Sequence, residues 1–513
     1  MMGNPTQSVL SQKNRTKQKM GVIRRQSLKH TAVNMVGLAV GAVSTLAVYP
    51  HALEAYGLAQ VLLSVGMVGL PLLAFGANTV AIRFFPRFQD KTSGHHGFLP
   101  LLLGLCVVGS VGVWLVAAVF WEVLLAKLQP RAPLLSTYLW MAVPMSFCYV
   151  VSTVLAAYSA NFKRIVVPSL LLDFSQKLAL PALLIAVWQG WLSLDAALWG
   201  LLAHAAAVTL GLIFYLRWLG EWHWRFDFDF LKPALRREMW QFIAFGAFGG
   251  LALLLAAKVD ILMVGSLSAV RAAGIYSIAA YLAAVIEIPI KSLYAASVSS
   301  VAQYLADDTR TEMEKLYKSV SINLLVAGLL LFGGIWISID GLFQLLPNGQ
   351  ELVVGKWVFF FVGLSRVVEM GTGLNNYMVY YSQYYRYSLV SLGVLAVANI
   401  GFNFWLIPRV GMTGAAIATL LSISSYNAIS LWLVWLKFRL FPFTRATVLA
   451  IVFALGAFAA AYFIPHSGNV LLDIALRSGI FGLIFGAAVL HWRVSEDLNA
   501  LAQMAWERLR RKL

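Results

Sequence analysis

The sequence predicts an all-α membrane protein of about fourteen transmembrane helices, arranged as two parallel six-helix lobes plus two C-terminal helices. Three observations carry this expectation: an apolar composition, a one-sided distribution of basic residues and an internal repeat. Of 513 residues, 60% are apolar and 12% charged, with a mean hydropathy of +0.77, whereas soluble domains carry about 25% charged residues. The bilayer is then the main solvent. A helix needs roughly 20 largely apolar residues to cross it, so the chain holds some fourteen spans and no sizeable soluble domain.

The chain divides in order. Residues 1–27 form a basic tail without an apolar core and small-residue cleavage site, so no removable signal peptide is expected. The N-lobe, 28–219, holds spans near 28–50, 58–84, 97–126, 133–159, 165–188 and 193–216. A linker, 220–239, alternates apolar and polar through Trp222, Trp224, Phe226, Phe228 and Phe230 and turns basic toward Arg237. It reads first as an interfacial tether with aromatics at headgroup depth, with a hinge or lipid-sensing linker as the alternative. The C-lobe, 240–437, holds spans near 240–266, 272–300, 319–345, 353–381, 386–408 and 412–436. Two more spans, 446–464 and 470–492, lie in 438–492, and the tail 493–513 places Leu498, Leu501, Ala505 and Leu509 on one face beside basic residues. That pattern suits a helix lying on an anionic leaflet.

Fourteen spans put both termini and every even-to-odd loop on one side. That side holds 29 Lys and Arg residues, against 5 on the other and 5 within spans. The positive-inside rule makes it cytoplasmic. The net charge of +17 is thus a topology signal rather than a nucleic-acid footprint, and no nucleic acid partner is expected.

The repeat emerges at an offset of 217 to 218 residues. Leu53 to Leu58 falls on Val270 to Ile275, Pro71 on Pro289, and Asp195-Ala196-Ala197 on Thr413-Gly414-Ala415. Two six-span lobes inserted in the same orientation follow. Pro71 and Pro289, at matched places in spans 2 and 8, are expected to bend those helices by removing a backbone donor.

Soluble chemistry finds no support. The closest approach to a phosphate-binding loop, Gly349 to Lys356, has the wrong spacing and lacks the following Ser or Thr. The eight histidines show no ligand spacing, with His95-His96 a loop pair and His204 alone among alanines, and Cys106 and Cys148 read as buried small residues. No metal site, catalytic residue or cofactor is assigned.

Charge inside the membrane remains, where each ionisable group costs several kcal/mol unless paired or hydrated and is a functional candidate. Asp173/Lys177, Glu287/Lys291 and Asp473/Arg477 stand at i,i+4 and Arg366/Glu369 at i,i+3, spacings that allow neutralisation within one helix. Lys258 and Asp260, at i,i+2, point roughly 160° apart and need partners elsewhere. Helical rise places Arg83 and Lys291 near the inner interface, Arg366 near the middle and Lys258 in the outer third. Facing one cavity, they would give an anion successive resting places.

At these residues the chain resembles Wzx-type flippases. Val259 to Gly265 with Ala273 to Ala279 look like spans 7 and 8 of that family, and Asn403, Ile407-Pro408 and Gly411 to Thr419 like spans 11 and 12. Tyr56-Gly57-Leu58 and Arg83-Phe84-Phe85-Pro86 fit as well. The resemblance implies the multidrug/oligosaccharidyl-lipid/polysaccharide (MOP) superfamily and a central cavity lined by spans 1, 2, 7 and 8. It further implies flipping of undecaprenyl-diphosphate-linked repeat units of O-antigen, capsule or exopolysaccharide across the bacterial inner membrane. By that analogy Arg83, Lys258 and Lys291 meet the diphosphate, and Asp260 and Glu287 orient them or bind a coupling cation. Span 1 offers only Asn34 where related lipid II flippases carry cavity arginines. Expected partners are membrane lipids, a polysaccharide polymerase and glycosyltransferases, with the chain itself monomeric. The rival is a cation-coupled multidrug exporter of the same superfamily, which usually stops at twelve spans.

Overall fold

The computed structural model describes residues 33, 35–225, 227 and 229–510. Among the described residues all regular structure is helical. Eleven segments are long and apolar enough to cross a membrane. One of them, Met35–Leu73, contains both of the first two spans. A π turn at Ser44–Val48 and a 3-10 turn at Tyr49–Ala52 interrupt it, and Ala52 leaves helical geometry (φ −133°, ψ 51°) before helix Leu53–Leu73 begins. The 35-residue helix Pro233–Leu267 and the 17-residue helix Lys356–Thr372 bring the spans to about fourteen. The chain is a multi-pass membrane protein.

It divides into two compact units, Met1–Leu254 and Leu255–Leu513, with the division falling inside helix Pro233–Leu267. The repeat is visible in where helices start. Spans 2 and 8 begin at Leu53 and Val270, each after a residue outside the helical region. Spans 6 and 12 begin at Leu194 and Met412.

In the first unit the core gathers Phe84, Phe88, Phe98, Val154, Tyr158 and Leu212. Because lipid is as apolar as the spans, their association relies on close packing at small residues. Gly109 shows this, for a Cβ there would run into the backbone carbonyls of Leu72 and Leu73. The expected bend at Pro71 takes the form of a break. The helix stops at Leu73, Phe75 and Gly76 take φ of 47° and 71°, and a new helix runs from Ala77 to Arg83. At Pro289 the interruption precedes the proline, as a 3-10 turn over Val285–Glu287 before helix Ile288–Ala306.

In the second unit, spans 13 (Arg445–Tyr462) and 14 (Val470–His491) pack on span 9 (Arg310–Trp336), and Val367 of span 10 (Lys356–Thr372) joins the same apolar cluster. Ala450, Ala454, Ala457 and Ala461 are buried along one stripe of span 13, and the Phe481 ring covers Gly333. The final helix, Glu496–Arg510, is tied to span 9 where Asn323 Nδ2 donates to Asp497 at 2.8 Å. Of its expected apolar face, the side chains of Ala505 and Leu509 lie outside the described residues.

Candidate functional site

The second unit buries a carboxyl group among four helices. Asp260, 7% exposed on span 7, accepts hydrogen bonds from Tyr276 Oη on span 8 (3.0 Å), from Asn403 Nδ2 on span 11 (2.8 Å) and from Thr419 Oγ1 on span 12. Asn403 and Asn399 stand one turn apart, and the Asn403 amide also donates to Asn399 Oδ1 at 3.0 Å. No cation stands within ion-pair distance of Asp260 among the described residues. Its carboxyl oxygens rest on three neutral donors, each bond worth about 0.5–1.5 kcal/mol. Asn403 Oδ1 is buried without a hydrogen-bond partner.

A cavity of about 530 Å³ lies among spans 8 and 10 and the helix Asn375–Tyr381. Glu287, Ile290, Lys291, Tyr294, Val298, Arg366, Glu369 and Tyr377 line it. Arg366 is its hub. Nε stands 2.7 Å from Glu287 Oε1 and Nη1 is 3.1 Å from Glu369 Oε2. The two pairs that sequence spacing treats as separate therefore form one network across two helices. Lys291, with a side chain 79% exposed, lies 4.0 Å from Glu287 and is the loosely held member. Tyr294 Oη donates to the carbonyl of Gly373 at 2.8 Å, and its ring meets Tyr377 edge-on at 4.9 Å. Gly373 takes φ 62° and ψ −128°, a conformation essentially reserved for glycine.

Lys258 is half-buried on the same helix as Asp260 but does not line this cavity, and it makes no ion pair among the described residues. Arg83, in the first unit, is exposed and stacks over Phe242 at 4.3 Å. Asn34 lies outside the described residues.

Two same-helix pairings suggested by spacing do not form. A π turn at Leu170–Phe174 shifts the helical register between Asp173 and Lys177. Asp173 accepts from Ser169 Oγ at 3.3 Å, and Lys177 lies over Gly37 of span 1. Asp473 accepts instead from the Ser467 N–H at 2.7 Å, and Arg477 donates to the carbonyl of Ile464 at 2.7 Å.

The loop between spans 2 and 3 meets the linker in a polar knot. His95 Nε2 is 3.0 Å from Glu221 Oε2, His96 Nδ1 is 2.8 Å from Asp227 Oδ2, and Arg87 donates to Glu238 at 2.6 Å. The His96 ring stacks on Phe230 at 4.0 Å, which packs also on Phe88 at 4.9 Å. Phe230 thus packs, partly buried, against the core of the first unit, while Phe226 and Phe228 lie outside the described residues. Hydrogen bonds from Thr92 and Ser93 hold the Asp90 carboxyl down at about 2. The arginine partner keeps Glu238 below the usual carboxylate range.

No family model and no curated protein matches the sequence. Among solved structures, a lipid II flippase, MurJ in an inward closed conformation, superposes with a TM-score of 0.68 over 91% of this chain and 99% of that one, at 10% identity. The chain shares the fold of that structure. An inward-facing multidrug resistance MATE family transporter of the MOP superfamily gives 0.49 over 80% of this chain and 94% of that one, at 14% identity. The Vibrio cholerae MATE transporter VcmN gives 0.45 over 82% and 95%, at 12% identity. At such identities the likeness is one of fold. The Asp260 cluster and the Arg366 cavity are features of this chain's own residues within that fold. Sequence reading placed Asp260, Glu287, Lys291, Arg366 and Glu369 among the candidates. It gave no role to Tyr276, Tyr294, Tyr377 or Thr419, whose apolar surroundings conceal what their hydroxyls face.

Proposed function

We propose that the chain flips a polyprenyl-diphosphate-linked oligosaccharide, of the class of undecaprenyl-diphosphate-linked O-antigen, capsule or exopolysaccharide repeat units, across the bacterial inner membrane by alternating access. No bond is made or broken, and both termini are cytoplasmic. The observation that carries the reading is the charged, hydroxyl-bearing cavity around Arg366. A diphosphate leaving water must keep its charge compensated, and a sugar needs hydrogen-bonding walls. Lys291 is free to turn toward phosphate, because its carboxylate neighbour already serves Arg366. Lys258 supplies a second cation without an acidic partner among the described residues. Glu287, Glu369 and Tyr377 face the sugar, while the polyprenyl tail stays in lipid. The fold, shared with a protein named as a lipid II flippase, supports the same reading.

Asp260 is the residue proposed for the coupling cation. Its surroundings fit a hard cation or a proton on donor chemistry, since a carboxyl group and two hydroxyls meet there and the Asn403 amide that touches it keeps a buried oxygen without a hydrogen-bond partner. The chain's part is to hold that carboxyl group in one orientation through Tyr276, Asn403 and Thr419.

Reconstitution separates this reading from drug export. Purified chain in vesicles should move a fluorescently labelled polyprenyl-diphosphate oligosaccharide between leaflets and leave a cationic dye in place. Dye efflux without glycan translocation would sink the proposal.

A further inference from the structure

We propose that His95, Glu221 and His223 form a binding site for a divalent transition cation of the zinc class, at the junction of the span 2–3 loop and the linker. One ligand atom from each lies within 4.8 Å of the others. His95 is 1% exposed and the Glu221 side chain 12%, so both are held rather than solvated.

The backbone is bent to deliver them. Gly94, His95, His96 and Gly97 take φ of 66°, 58°, 48° and 70° in succession, and the two histidines are strained in that left-handed region. Gly94 also makes room, since a Cβ there would stand 3.1 Å from His223 Cβ. Behind the ligands, Tyr158 Oη donates to the Glu221 carbonyl at 3.2 Å and buttresses that residue.

Two imidazole nitrogens and one carboxylate oxygen are a donor set suited to zinc, with water completing the tetrahedron. Zinc at about 2.0–2.2 Å from each ligand holds the donors about 3.3 Å apart. His95 and Glu221 already stand at 3.0 Å. His223, half-buried on the irregular stretch 221–225, closes the remaining gap. Without metal, the Asp90 N–H donates to His95 Nδ1 at 3.2 Å, so Nε2 carries the ring proton toward Glu221. The cation takes that proton's place, and the ring proton moves to Nδ1 as the long Asp90 contact is given up. Lys91, 3.6 Å from Glu221 with a side chain 79% exposed, swings into solvent. His96 is occupied by Asp227 and Asp90 and stays outside the site. Bound metal would pin the linker to a loop more than a hundred residues earlier in the chain.

The test uses full-length protein in detergent, with any histidine tag removed, stripped with chelator and dialysed against zinc. Elemental analysis should find one zinc per chain, and Co²⁺ should give the visible absorption of a tetrahedral site. His223→Ala, on a partly exposed side chain, should lower zinc retention at least tenfold while its thermal melt in chelator matches wild type. His96→Ala should retain the metal. Glu221→Gln, which keeps the side chain's size, should also lose it. Wild type without stoichiometric zinc, or His223→Ala and Glu221→Gln holding as much zinc as wild type, would overturn the site and reduce it to a hydrogen-bonded loop.

Discussion

Replacing Arg366 by Met should expose what holds the cavity together. The guanidinium lies 2.7 Å from Glu287 and 3.1 Å from Glu369, and its loss leaves two carboxylates facing each other across one wall. Breaking a fully buried pair costs about 3–5 kcal/mol. Here the three side chains are 24–26% exposed and border a cavity that admits water, so the cost falls to about 2–3 kcal/mol. For a folding unit of this size that corresponds to a drop of roughly 5–10 °C in Tm, read by scanning fluorimetry in detergent. Adding Glu287→Gln and Glu369→Gln to Arg366→Met removes the stranded charges. The triple variant should recover most of the lost stability yet still translocate poorly, because the polar wall has lost its charge pattern. A single variant melting with wild type, or a triple variant no more stable than the single, would refute the view that Arg366 neutralises both carboxylates at once.

Other outcomes follow from the same geometry. Asp260→Asn keeps the shape and most hydrogen-bonding partners, so the protein should fold, while vesicle transport loses its dependence on an imposed sodium or proton gradient; a retained dependence would remove Asp260 as the coupling residue. Gly373→Ala and Gly411→Ala both force alanine into positive φ, but only at Gly373 does the new Cβ meet backbone, 3.1 Å from Ser321 Cα. Gly373→Ala should therefore cost about 1–3 kcal/mol more than the strain common to both, compared by thermal melts. Tyr294→Phe removes the donor to the Gly373 carbonyl and should cost about 1 kcal/mol, with a smaller effect on transport than on stability.

The spans were legible because each is a long apolar run, and the repeat because helix starts at Leu53 and Val270 carry similar short motifs. The intramembrane charges were legible because they are rare. Their partners were not. Glu287 and Lys291 satisfy a helical spacing, yet Glu287's tighter contact is Arg366, brought in from another helix. Asp173 and Lys177 have the spacing of a pair, but a π turn separates them, and nothing in Leu170–Phe174 marks that turn in advance. Asp260's partners lie on three helices, the farthest 159 residues along the chain. The adjacent His95 and His96 separate their roles because the linker arrives from far along the chain with an acid for each, a meeting that local sequence does not record.

The most direct measurement is the rate at which reconstituted protein moves a labelled polyprenyl-diphosphate oligosaccharide between leaflets, compared among wild type, Lys291→Ala and Lys258→Ala. A charge-assisted phosphate contact is worth about 1.5–3 kcal/mol when buried and about 0.2–1 kcal/mol when exposed, so the substitution at the exposed Lys291 should slow flipping about twofold or more and that at the half-buried Lys258 by a larger factor, while the variants melt close to wild type. Flipping at the wild-type rate in both variants would contradict a diphosphate carried on these cations.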